Sequence, residues 1–292
     1  MNIYEQISNR IPLSKGWSAD KKYHILTSDG NSYLLRISAL DRLDRKHLEY
    51  TKMQEVAALG IPMCVPFEFG TCEDGVYTIQ SWIDGQDAEA LVPTLSADEQ
   101  YTYGFEAGQI QKKIHTIPAP STILPWENRY GKKIDTKLQR YQDCPLKYDN
   151  GQVFIDYIGK YRHLIRNRNT VFQHGDFHRG NMMFQAGGKL MIIDFDRCDF
   201  GYPWEDLAAI TWDADLSPAF ASGRIDGYFC NDVPEVFWRL LKLYICVGEL
   251  SSLPWAIPYG QKEIDTILSN AEKFLNWYDG AESCIPVWYG KP

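Results

Sequence analysis

The chain has 292 residues, and its 38 acidic side chains outnumber the 30 basic ones, which gives a formal net charge of −8. A hydrophobic content of 45% and a charged content of 23% are typical of globular domains and argue against a disordered protein. The acidic balance also argues against nucleic acid as a partner, because neutralising phosphates requires a surplus of lysine and arginine.

The first part of the chain predicts an antiparallel sheet with one helix. Alternating stretches on either side of Ser-Asp-Gly-Asn predict a β-hairpin over 22–37. Aliphatic residues at helical spacing predict a helix over 41–59 that ends at Gly60. A second hairpin is expected over 67–80, so the helix is inserted after the third strand of the sheet.

From Trp82 onward the strand pattern stops, and the sequence becomes mostly helical. Ser96 and Glu99 have the spacing of a capping box, which predicts a helix from there to about His115. Two later stretches have the apolar spacing of amphipathic helices, namely 233–252 and 261–275. A sheet-rich first part followed by a helical second part predicts an α+β protein.

The stretch from 171 to 208 carries the residues that point to a reaction. Asp176 precedes Asn181 by five positions, and an apolar hairpin over 182–193 ends in Asp194. Such a hairpin brings Asn181 and Asp194 together at its open end, where their carboxamide and carboxylate oxygens suit Mg²⁺. Asp176, on the loop before it, can orient an attacking hydroxyl and accept its proton. The spacing D-x-x-x-x-N followed by D-F also occurs in the catalytic and metal-binding motifs of protein kinases.

Three ordered motifs establish a family resemblance. The sequence H-G-D-F-H-R-G-N lies at 174–181, I-I-D-F-D at 192–196 and F-G-Y-P-W-E-D-L-A at 200–208. With these motifs the chain resembles the aminoglycoside phosphotransferase and choline kinase-like family. The resemblance implies a two-lobed protein-kinase-like fold, with a sheet-rich N-lobe over 1–84 and a mostly helical C-lobe over 85–292.

The resemblance also implies an activity and the residues that perform it. Such kinases transfer the γ-phosphoryl group of ATP or GTP, with Mg²⁺, to a hydroxyl of a small molecule. Carried over to this chain, Asp176 becomes the catalytic base, and Asn181 and Asp194 become the metal ligands. His174 and Asp206 become supports of the catalytic loop.

The implied nucleotide site departs from the family pattern. The loop at 15–20 corresponds to the segment that covers the nucleotide phosphates, with Ser18 as a hydroxyl donor. Arg36 stands where the family usually has Lys, and Glu49 would be its partner on the helix. Lys22, on the adjacent strand, is the alternative phosphate ligand. Between the lobes, a hinge would offer its backbone to the purine, and the residues assigned to this contact are Gln80, Trp82 and Ile83.

The acceptor is left open by the sequence. An aminoglycoside or a related cationic molecule suits a C-lobe rich in carboxylates, and such an acceptor would imply a role in antibiotic resistance. Choline, an amino alcohol, a macrolide or a sugar derivative is also compatible, since Trp and Tyr faces can hold a cation. Two other function classes remain: a catalytically silent nucleotide-binding regulator, and a metal-dependent hydrolase built on His174, Asp176 and His178. The intact set of Asp176, Asn181 and Asp194 favours the kinase.

Several further residues receive simpler interpretations. Asp196 either joins the metal shell or pairs with Arg179 or Arg197. Tyr202 replaces the Asp that the family usually has in a G-D-P triplet. Tryptophans at loosely helical positions are interpreted as core residues: Trp212, Trp238, Trp255, Trp277 and Trp288. Acidic residues of the same region are interpreted as a solvated face: Asp213, Asp215, Asp226 and Glu235.

The remaining patterns predict a location. Seven cysteines form no C-x-x-C pair, so neither a disulfide framework nor a zinc ribbon is indicated. The opening sequence MNIYEQISNR lacks the apolar segment of a secretory signal. The late apolar stretch 236–247 is interrupted by Arg239 and Lys242 and is expected to be too short to span a bilayer. A cytoplasmic protein with reduced thiols and no membrane partner is therefore expected.

Overall fold

The computed structural model describes residues 2–14, 18–278 and 283–292. The chain divides into two compact units. The first consists of Met1–Leu91 and Arg179–Cys198, and the second of Val92–His178 and Asp199–Pro292. This division differs from the predicted lobes in one long segment, because Arg179–Cys198, which carries both predicted metal ligands, groups with the first unit.

Strands dominate the first unit, and helices dominate the second. In chain order the strands are β1 Ile7–Leu13, β2 Lys21–Thr27, β3 Ser32–Ser38, β4 Pro66–Cys72, β5 Gly75–Ser81, β6 Gly85–Asp87, β7 Val171–Gln173, β8 Met182–Gln185, β9 Lys189–Ile192 and β10 Asp199–Gly201. The α-helices are α1 Leu43–Ala58, α2 Ala88–Leu91, α3 Ala97–Ile114, α4 Trp126–Asp143, α5 Gly151–Tyr161, α6 Ile210–Leu216, α7 Pro218–Phe229, α8 Glu235–Ala256 and α9 Gln261–Trp277.

The main sheet of the first unit is antiparallel, with strand order β1-β2-β3-β5-β4. Both predicted hairpins and α1 are confirmed, and α1 ends just before Gly60, whose φ of +70° suits glycine. The side chains packed at the core of this sheet are Ile25, Leu35, Ile37, Tyr77 and Ile79. Their burial fixes the register, which sets Lys22 directly opposite Arg36.

A second sheet of the first unit has the strand order β6-β8-β9. Its hairpin β8–β9 is the one predicted over 182–193. The expectation that strands end at Trp82 is wrong, because β6 pairs antiparallel with β8. A strand this short shows no readable periodicity, and its pairing depends on a glycine. A Cβ on Gly85 would lie 2.3 Å from the carbonyl oxygen of Phe184.

Helices α3 and α7 of the second unit pack backbone against backbone. Each carries two glycines four residues apart, which are Gly104 and Gly108 on α3 and Gly223 and Gly227 on α7. A Cβ built on Gly108 would lie 2.1 Å from the carbonyl oxygen of Arg224, and the other three would meet backbone oxygens equally closely. Only glycine permits this approach, so the four residues fix how α7 sits on α3.

Helix α8 forms the centre of the second unit, where α4, α5 and α9 pack against it. Among the described residues, only one helical span has the length and hydropathy to cross a membrane. This span, Glu235–Tyr259, begins with α8. The expectation that the stretch 236–247 is too short to span a bilayer is therefore wrong, because the helical span is 25 residues long. However, 61% of the apolar window is buried inside the protein, as in the core helix of a globular fold.

The tryptophans of the second unit divide into two groups. Those in the core or packed against it are Trp238, Trp277 and Trp288. Trp212 and Trp255 are 53% and 47% exposed, so their interpretation as core residues is wrong. Helical spacing alone does not distinguish the two groups, because α6 and α8 each have a solvent-facing side.

The acidic residues of the same region are also mixed. Asp213 and Asp226 are buried, so their interpretation as solvated residues is wrong. Asp226 accepts hydrogen bonds from the hydroxyls of Tyr101 and Tyr289, at 2.6 and 2.5 Å. The exposed pairs are Asp215 with Lys273 and Glu235 with Arg239. Two of the four carboxylates are therefore used inside the protein.

Candidate active site

The predicted catalytic loop follows the buried strand β7 in the second unit. His174 is fully buried, and its Nδ1 lies 3.3 Å from the backbone nitrogen of Asp176. Phe177 is also fully buried, while the side chain of Asp176 is 28% exposed. The loop is thus anchored by the residues on either side of Asp176, and its carboxylate is left accessible.

Asp206 holds the predicted catalytic loop through hydrogen bonds. Its Oδ1 accepts a hydrogen bond of 2.8 Å from the backbone nitrogen of Gly175. Its Oδ2 lies 3.1 Å from His115 Nε2 and accepts a hydrogen bond of 3.1 Å from Gln111. Burial opposes ionisation here, but the hydrogen bond from His115 and its neighbours outweigh it and lower the pKa of Asp206 to about 2. Asp206 therefore holds the backbone of Gly175, the residue before Asp176.

A buried arginine extends this brace. Arg224 is fully buried, and its Nε and Nη2 donate to the side-chain oxygen of Gln111 at 3.1 and 3.0 Å. Its Nη1 donates to Asp213 at 2.5 Å, and its guanidinium lies 4.9 Å from the ring centroid of Phe177. Asp213, Arg224, Gln111 and Asp206 thus form a continuous chain, called here the loop brace. Sequence reasoning did not connect its first three members, because Gln111 and Arg224 are 113 positions apart and Asp213 was interpreted as solvated.

An exposed aromatic surface lies beside the predicted base. The ring of Trp212 on α6 stacks on His178, with centroids 6.0 Å apart and an interplanar angle of 30°. His178 Nε2 is in turn 3.5 Å from Asp176 Oδ1. The exposed Trp212 is therefore two contacts away from the carboxylate of the predicted base Asp176.

The predicted metal ligands lie in the first unit, at the open end of hairpin β8–β9. The backbone nitrogen of Ile193 donates to the carbonyl oxygen of Asn181 at 3.0 Å, which holds the two chain segments together there. Asp194 follows with a φ of +65°, and its side chain is 31% exposed. One carboxylate and one carboxamide fit Mg²⁺, which commonly takes one or two protein oxygens together with phosphates and water.

This donor set is sparse by the standards of a protein-only metal site. No group of three or more His, Cys, Asp or Glu side chains arranged to hold a metal is found in the part of the chain that the structure describes. A magnesium ion held by Asn181 and Asp194 would therefore depend on nucleotide phosphates for further ligands. The same finding lends no support to a hydrolase metal site at His174, Asp176 and His178.

Arg36 on β3 is buried and fully engaged with carboxylates. Its Nε and Nη2 donate to Asp20 at 3.2 and 3.0 Å, and its Nη1 donates to Asp194 at 2.8 Å. Burial opposes the charge, but the nearby carboxylates, with Asp194 first, outweigh it and raise the pKa of Arg36. Arg36 therefore links the end of the predicted phosphate loop to a predicted metal ligand.

Asp20 is surrounded by donors. Besides Arg36, it accepts hydrogen bonds from Ser38 at 2.7 Å, Arg42 at 3.1 Å and Lys46 at 2.9 Å. The carboxylate is buried, and these donors lower its pKa against the opposing effect of burial. None of these partners was predicted, because the sequence gives no local sign that Asp20 is buried.

Two predicted partnerships in this region differ from the structure. Glu49 accepts a hydrogen bond from Lys46 at 2.9 Å, and its charge acts on the expected partner Arg36 and helps to raise the pKa of Arg36, without a hydrogen bond between them. Asp196 pairs with Lys46 at 2.6 Å and with Arg42 at 2.9 Å, and not as expected with Arg179 or Arg197. A lysine one helical turn before Glu49 reaches it more directly than the neighbouring strand does. The seven residues joined by these pairs are called here the ion network: Asp20, Arg36, Arg42, Lys46, Glu49, Asp194 and Asp196.

Two predicted phosphate contacts lie beside the ion network. Lys22 on β2 is half-buried and opposite Arg36; burial first, and then the Arg36 charge, lower its pKa. The hydroxyl of Ser18 accepts a hydrogen bond of 3.4 Å from the backbone nitrogen of Asp20. The rest of the predicted phosphate loop, residues 15–17, lies outside the described residues.

The three predicted hinge residues use their side chains for packing. Gln80 is buried, and its amide nitrogen lies 3.7 Å from the sulfur of Met53. Trp82 stacks on His24 with centroids 3.9 Å apart, and Ile83 is buried. Trp82 and Ile83 follow the end of β5. A nucleotide contact there would have to use the backbone, as the sequence analysis expects.

Tyr202 now has a structural explanation. Its ring is buried in the core of the second unit, with the guanidinium of Arg168 5.4 Å from the ring centroid. Its carbonyl oxygen accepts a hydrogen bond of 2.8 Å from the buried side chain of Gln173. Tyr202 therefore packs in the core of the second unit, whereas the family usually has Asp at this position.

Comparison with known proteins agrees with these motifs. Residues 10–238 match the sequence model described as the phosphotransferase enzyme family. None of the curated proteins matches the chain.

Solved structures provide a fold comparison over nearly the whole chain. Aminoglycoside phosphotransferase APH(4)-Ia is 16% identical, with a TM-score of 0.68 over 93% of this chain and 94% of that one. ADP-bound aminoglycoside phosphotransferase APH(2'')-Ib is 17% identical, with a TM-score of 0.65 over 97% and 98%. Amicoumacin kinase hAmiN, in complex with AMP-PNP, Ca²⁺ and its ligand, is 15% identical, with a TM-score of 0.65 over 92% and 88%. The chain shares their α+β kinase-like fold, in which a sheet-rich region precedes a mostly helical one.

Proposed function

Because the chain belongs to the phosphotransferase enzyme family, we propose that it is a Mg²⁺-dependent kinase for a small molecule. It would transfer the γ-phosphoryl group of ATP or GTP to a hydroxyl of its acceptor. The observation that carries the proposal is the hairpin β8–β9, which holds Asn181 and the partly exposed Asp194 at one end. When bound there, Mg²⁺ would neutralise phosphate charge.

The chain's own residues would perform three tasks. Asp176 would orient the acceptor hydroxyl and take its proton, because its carboxylate is accessible while its loop is held rigidly. Asn181 and Asp194 would present oxygen ligands. Asp206 would keep the loop in place, through Gly175. Positioning and electrostatics of this kind account for most of the catalysis of phosphoryl transfer.

The acceptor is proposed to be a small ring-bearing alcohol. Solved relatives are complexed with hygromycin B and with the amicoumacin kinase ligand. In this chain Asp213 is neutralised by Arg224, and the exposed face beside Asp176 is that of Trp212. Ring stacking on Trp212 thus has more structural support here than recognition by a carboxylate cluster. A cytoplasmic enzyme that modifies an antibiotic-like molecule is consistent with this proposal.

The test has two stages. Thermal shift with ATP or GTP, with and without Mg²⁺, measures nucleotide binding, because a ligand that binds only the folded state raises its stability. Transfer of labelled γ-phosphate is then measured with hygromycin B, kanamycin, erythromycin, choline and a simple glycoside. We expect Mg²⁺-dependent stabilisation and transfer to at least one of the four ring-bearing alcohols, with choline as the acyclic comparison. Nucleotide binding without transfer to any of them would favour a silent regulator, and no nucleotide binding would refute the kinase.

A further inference from the structure

The segment that follows Asp194 forms a tight turn. The backbone nitrogen of Cys198 donates to the carbonyl oxygen of Phe195 at 2.9 Å, which closes a turn over 195–198. Phe195 and Cys198 are both buried, so the two ends of the turn are fixed. The position of this turn therefore determines where the backbone of Asp194 lies.

The backbone of Asp194 needs support from both sides. Its φ of +65° lies in the left-handed region, which a residue other than glycine seldom adopts. A backbone in this region persists only where the surrounding structure holds it. On the N-terminal side, the hydrogen bond from Ile193 to Asn181 holds the chain. On the C-terminal side, the support comes from the turn over 195–198.

Arg45 on α1 binds the backbone of this turn. One nitrogen of its guanidinium, Nη2, donates to the carbonyl oxygens of Asp196 and Cys198 at 2.7 and 2.6 Å. Hydrogen bonds from a charged donor are stronger than neutral ones. In an extended strand, carbonyl groups two residues apart are separated by about 6.6 Å, which is too far for one nitrogen to reach both. Arg45 therefore favours the turned backbone over an extended one.

Two neighbouring cations hold the side chain of the same turn. Asp196 accepts hydrogen bonds from Arg42 at 2.9 Å and from Lys46 at 2.6 Å. Arg42 and Lys46 also pair with Asp20. Among the described residues, by contrast, the side-chain hydrogen bonds of Arg45 all go to the turn over 195–198. Substitution of Arg45 therefore disturbs this turn without removing a partner of Asp20.

We propose that Arg45 is a positioning residue for the metal ligand Asp194. It holds the turn over 195–198 against α1, keeps the backbone of Asp194 in its left-handed conformation and so strengthens the binding of Mg²⁺ together with the nucleotide. This role rests on the proposed function, which assigns Asp194 to the metal. Residues that orient a metal ligand commonly contribute about 10–100-fold to metal affinity.

Two variants serve as controls for Arg45→Met. Arg45→Lys keeps the positive charge but replaces the planar guanidinium with a single ammonium, so it should retain part of the function. Lys21→Met removes one positive charge from the surface of the first unit, where Lys21 is 58% exposed and pairs with Asp74 at 3.3 Å. It changes the net charge of the protein as much as Arg45→Met does, but among the described residues it removes no contact of the turn.

The experiment measures equilibrium binding of fluorescent N-methylanthraniloyl ATP and GTP by the full-length protein, once with excess EDTA and once with excess Mg²⁺. The melting temperature without ligand is recorded in parallel. For Arg45→Met we expect the Kd with Mg²⁺ to rise about tenfold or more, while the Kd with EDTA stays the same. Arg45→Lys should lose less, and Lys21→Met should change neither value. In an Asp194→Asn protein, Arg45→Met should have no additional effect, because Arg45 acts through Asp194.

The outcomes separate this role from the proposed function. If the wild-type protein binds neither nucleotide, or binds equally well with EDTA and with Mg²⁺, the proposed Mg²⁺-dependent kinase fails. If Mg²⁺ strengthens wild-type binding and Arg45→Met keeps the whole gain, the role of Arg45 fails while the kinase stands. An equal loss with EDTA and with Mg²⁺ would mean that Arg45 supports only the fold, and a further loss in the Asp194→Asn protein would mean that it acts on another group. Should Arg45→Met not fold, the same comparison with Arg45→Lys decides.

Discussion

The two units both bury charge, but they differ in how much solvent reaches it. In the ion network of the first unit, the side chains of Asp194 and Asp196 are 31% and 19% exposed. In the loop brace of the second unit, the side chains of Arg224 and Asp213 are both 0% exposed. The first cluster therefore has carboxylates that a cation from solvent can reach. The second is sealed and can act only on the residues around it.

This difference suggests a division of labour. A partly open cluster can exchange a partner for a ligand, because water compensates the group that is released. A sealed cluster cannot do so, because an unpaired buried charge is too costly. Under the proposed function, the first unit would bind the nucleotide and its metal ion. The second is suited to holding Asp176 in one position.

The largest expected effect tests this division directly. Asp176→Ala should lower turnover by about 10²–10⁴-fold, because the base that accepts the hydroxyl proton is lost. Nucleotide affinity should remain nearly unchanged. Asp194→Asn should instead weaken nucleotide binding in a Mg²⁺-dependent manner, since a metal ligand is impaired. Phosphate transfer and equilibrium nucleotide binding measure the two effects.

The exposed Asp215 provides the control for both substitutions. It pairs with Lys273 at the surface, and Asp215→Ala should change neither turnover nor affinity. If Asp176→Ala also abolished nucleotide binding, the two units would not divide the work as described.

A second prediction concerns the stability of the sealed cluster. Arg224→Met removes the cation that pairs with the buried Asp213, so the free energy of unfolding should fall by about 3–5 kcal/mol. Lys273→Met breaks the exposed pair with Asp215 and should cost at most about 1 kcal/mol. Urea denaturation measures both. Similar losses in the two variants would mean that solvent access does not distinguish the clusters.

The motifs at 174–208 predicted the hairpin β8–β9 because the pattern that encodes it is local. The hairpin that joins Asn181 to Asp194 is a short-range pattern, in which two apolar runs flank a turn. The loop before it and the two N-terminal hairpins are equally local. Residue spacing along a few neighbouring positions is sufficient to predict such elements.

Most partners inside both clusters could not be predicted, because they lie on segments that are distant along the chain; the pair of Lys46 and Glu49, one helical turn apart, is an exception. Arg224 meets Gln111 across 113 positions, and Arg36 meets Asp194 across 158. Asp213 and Asp20 look like ordinary polar residues until their burial is known. The glycines spaced four apart in two separate helices were the one signal that α3 and α7 pack closely.

A third prediction tests that helix contact, which positions Arg224 beside Gln111. Gly108→Ala places a Cβ 2.1 Å from the carbonyl oxygen of Arg224, so the helices must separate. Overpacking of this kind should cost about 1–3 kcal/mol. Gly159→Ala is the matched control, because Gly159 lies within α5 with no atom within 4 Å of the added Cβ. It should stabilise by about 0.5–1 kcal/mol through helix propensity. Thermal unfolding distinguishes the opposite signs.

The last prediction concerns Glu249, a half-buried acid of the second unit outside the loop brace. Its Oε2 has no hydrogen-bond partner among the described residues, and burial raises its pKa to about 7. A sealed region should tolerate an unpaired carboxyl only in its protonated form. The unfolded chain ionises near pH 4.5, so between that pH and about 7 the folded state loses stability as the pH rises. Glu249→Gln should therefore melt at the wild-type temperature at pH 4 and at a higher temperature at pH 8. An equal difference at both pH values would show that folding does not raise the pKa of Glu249, and that the second unit accepts its charge without a loss of stability.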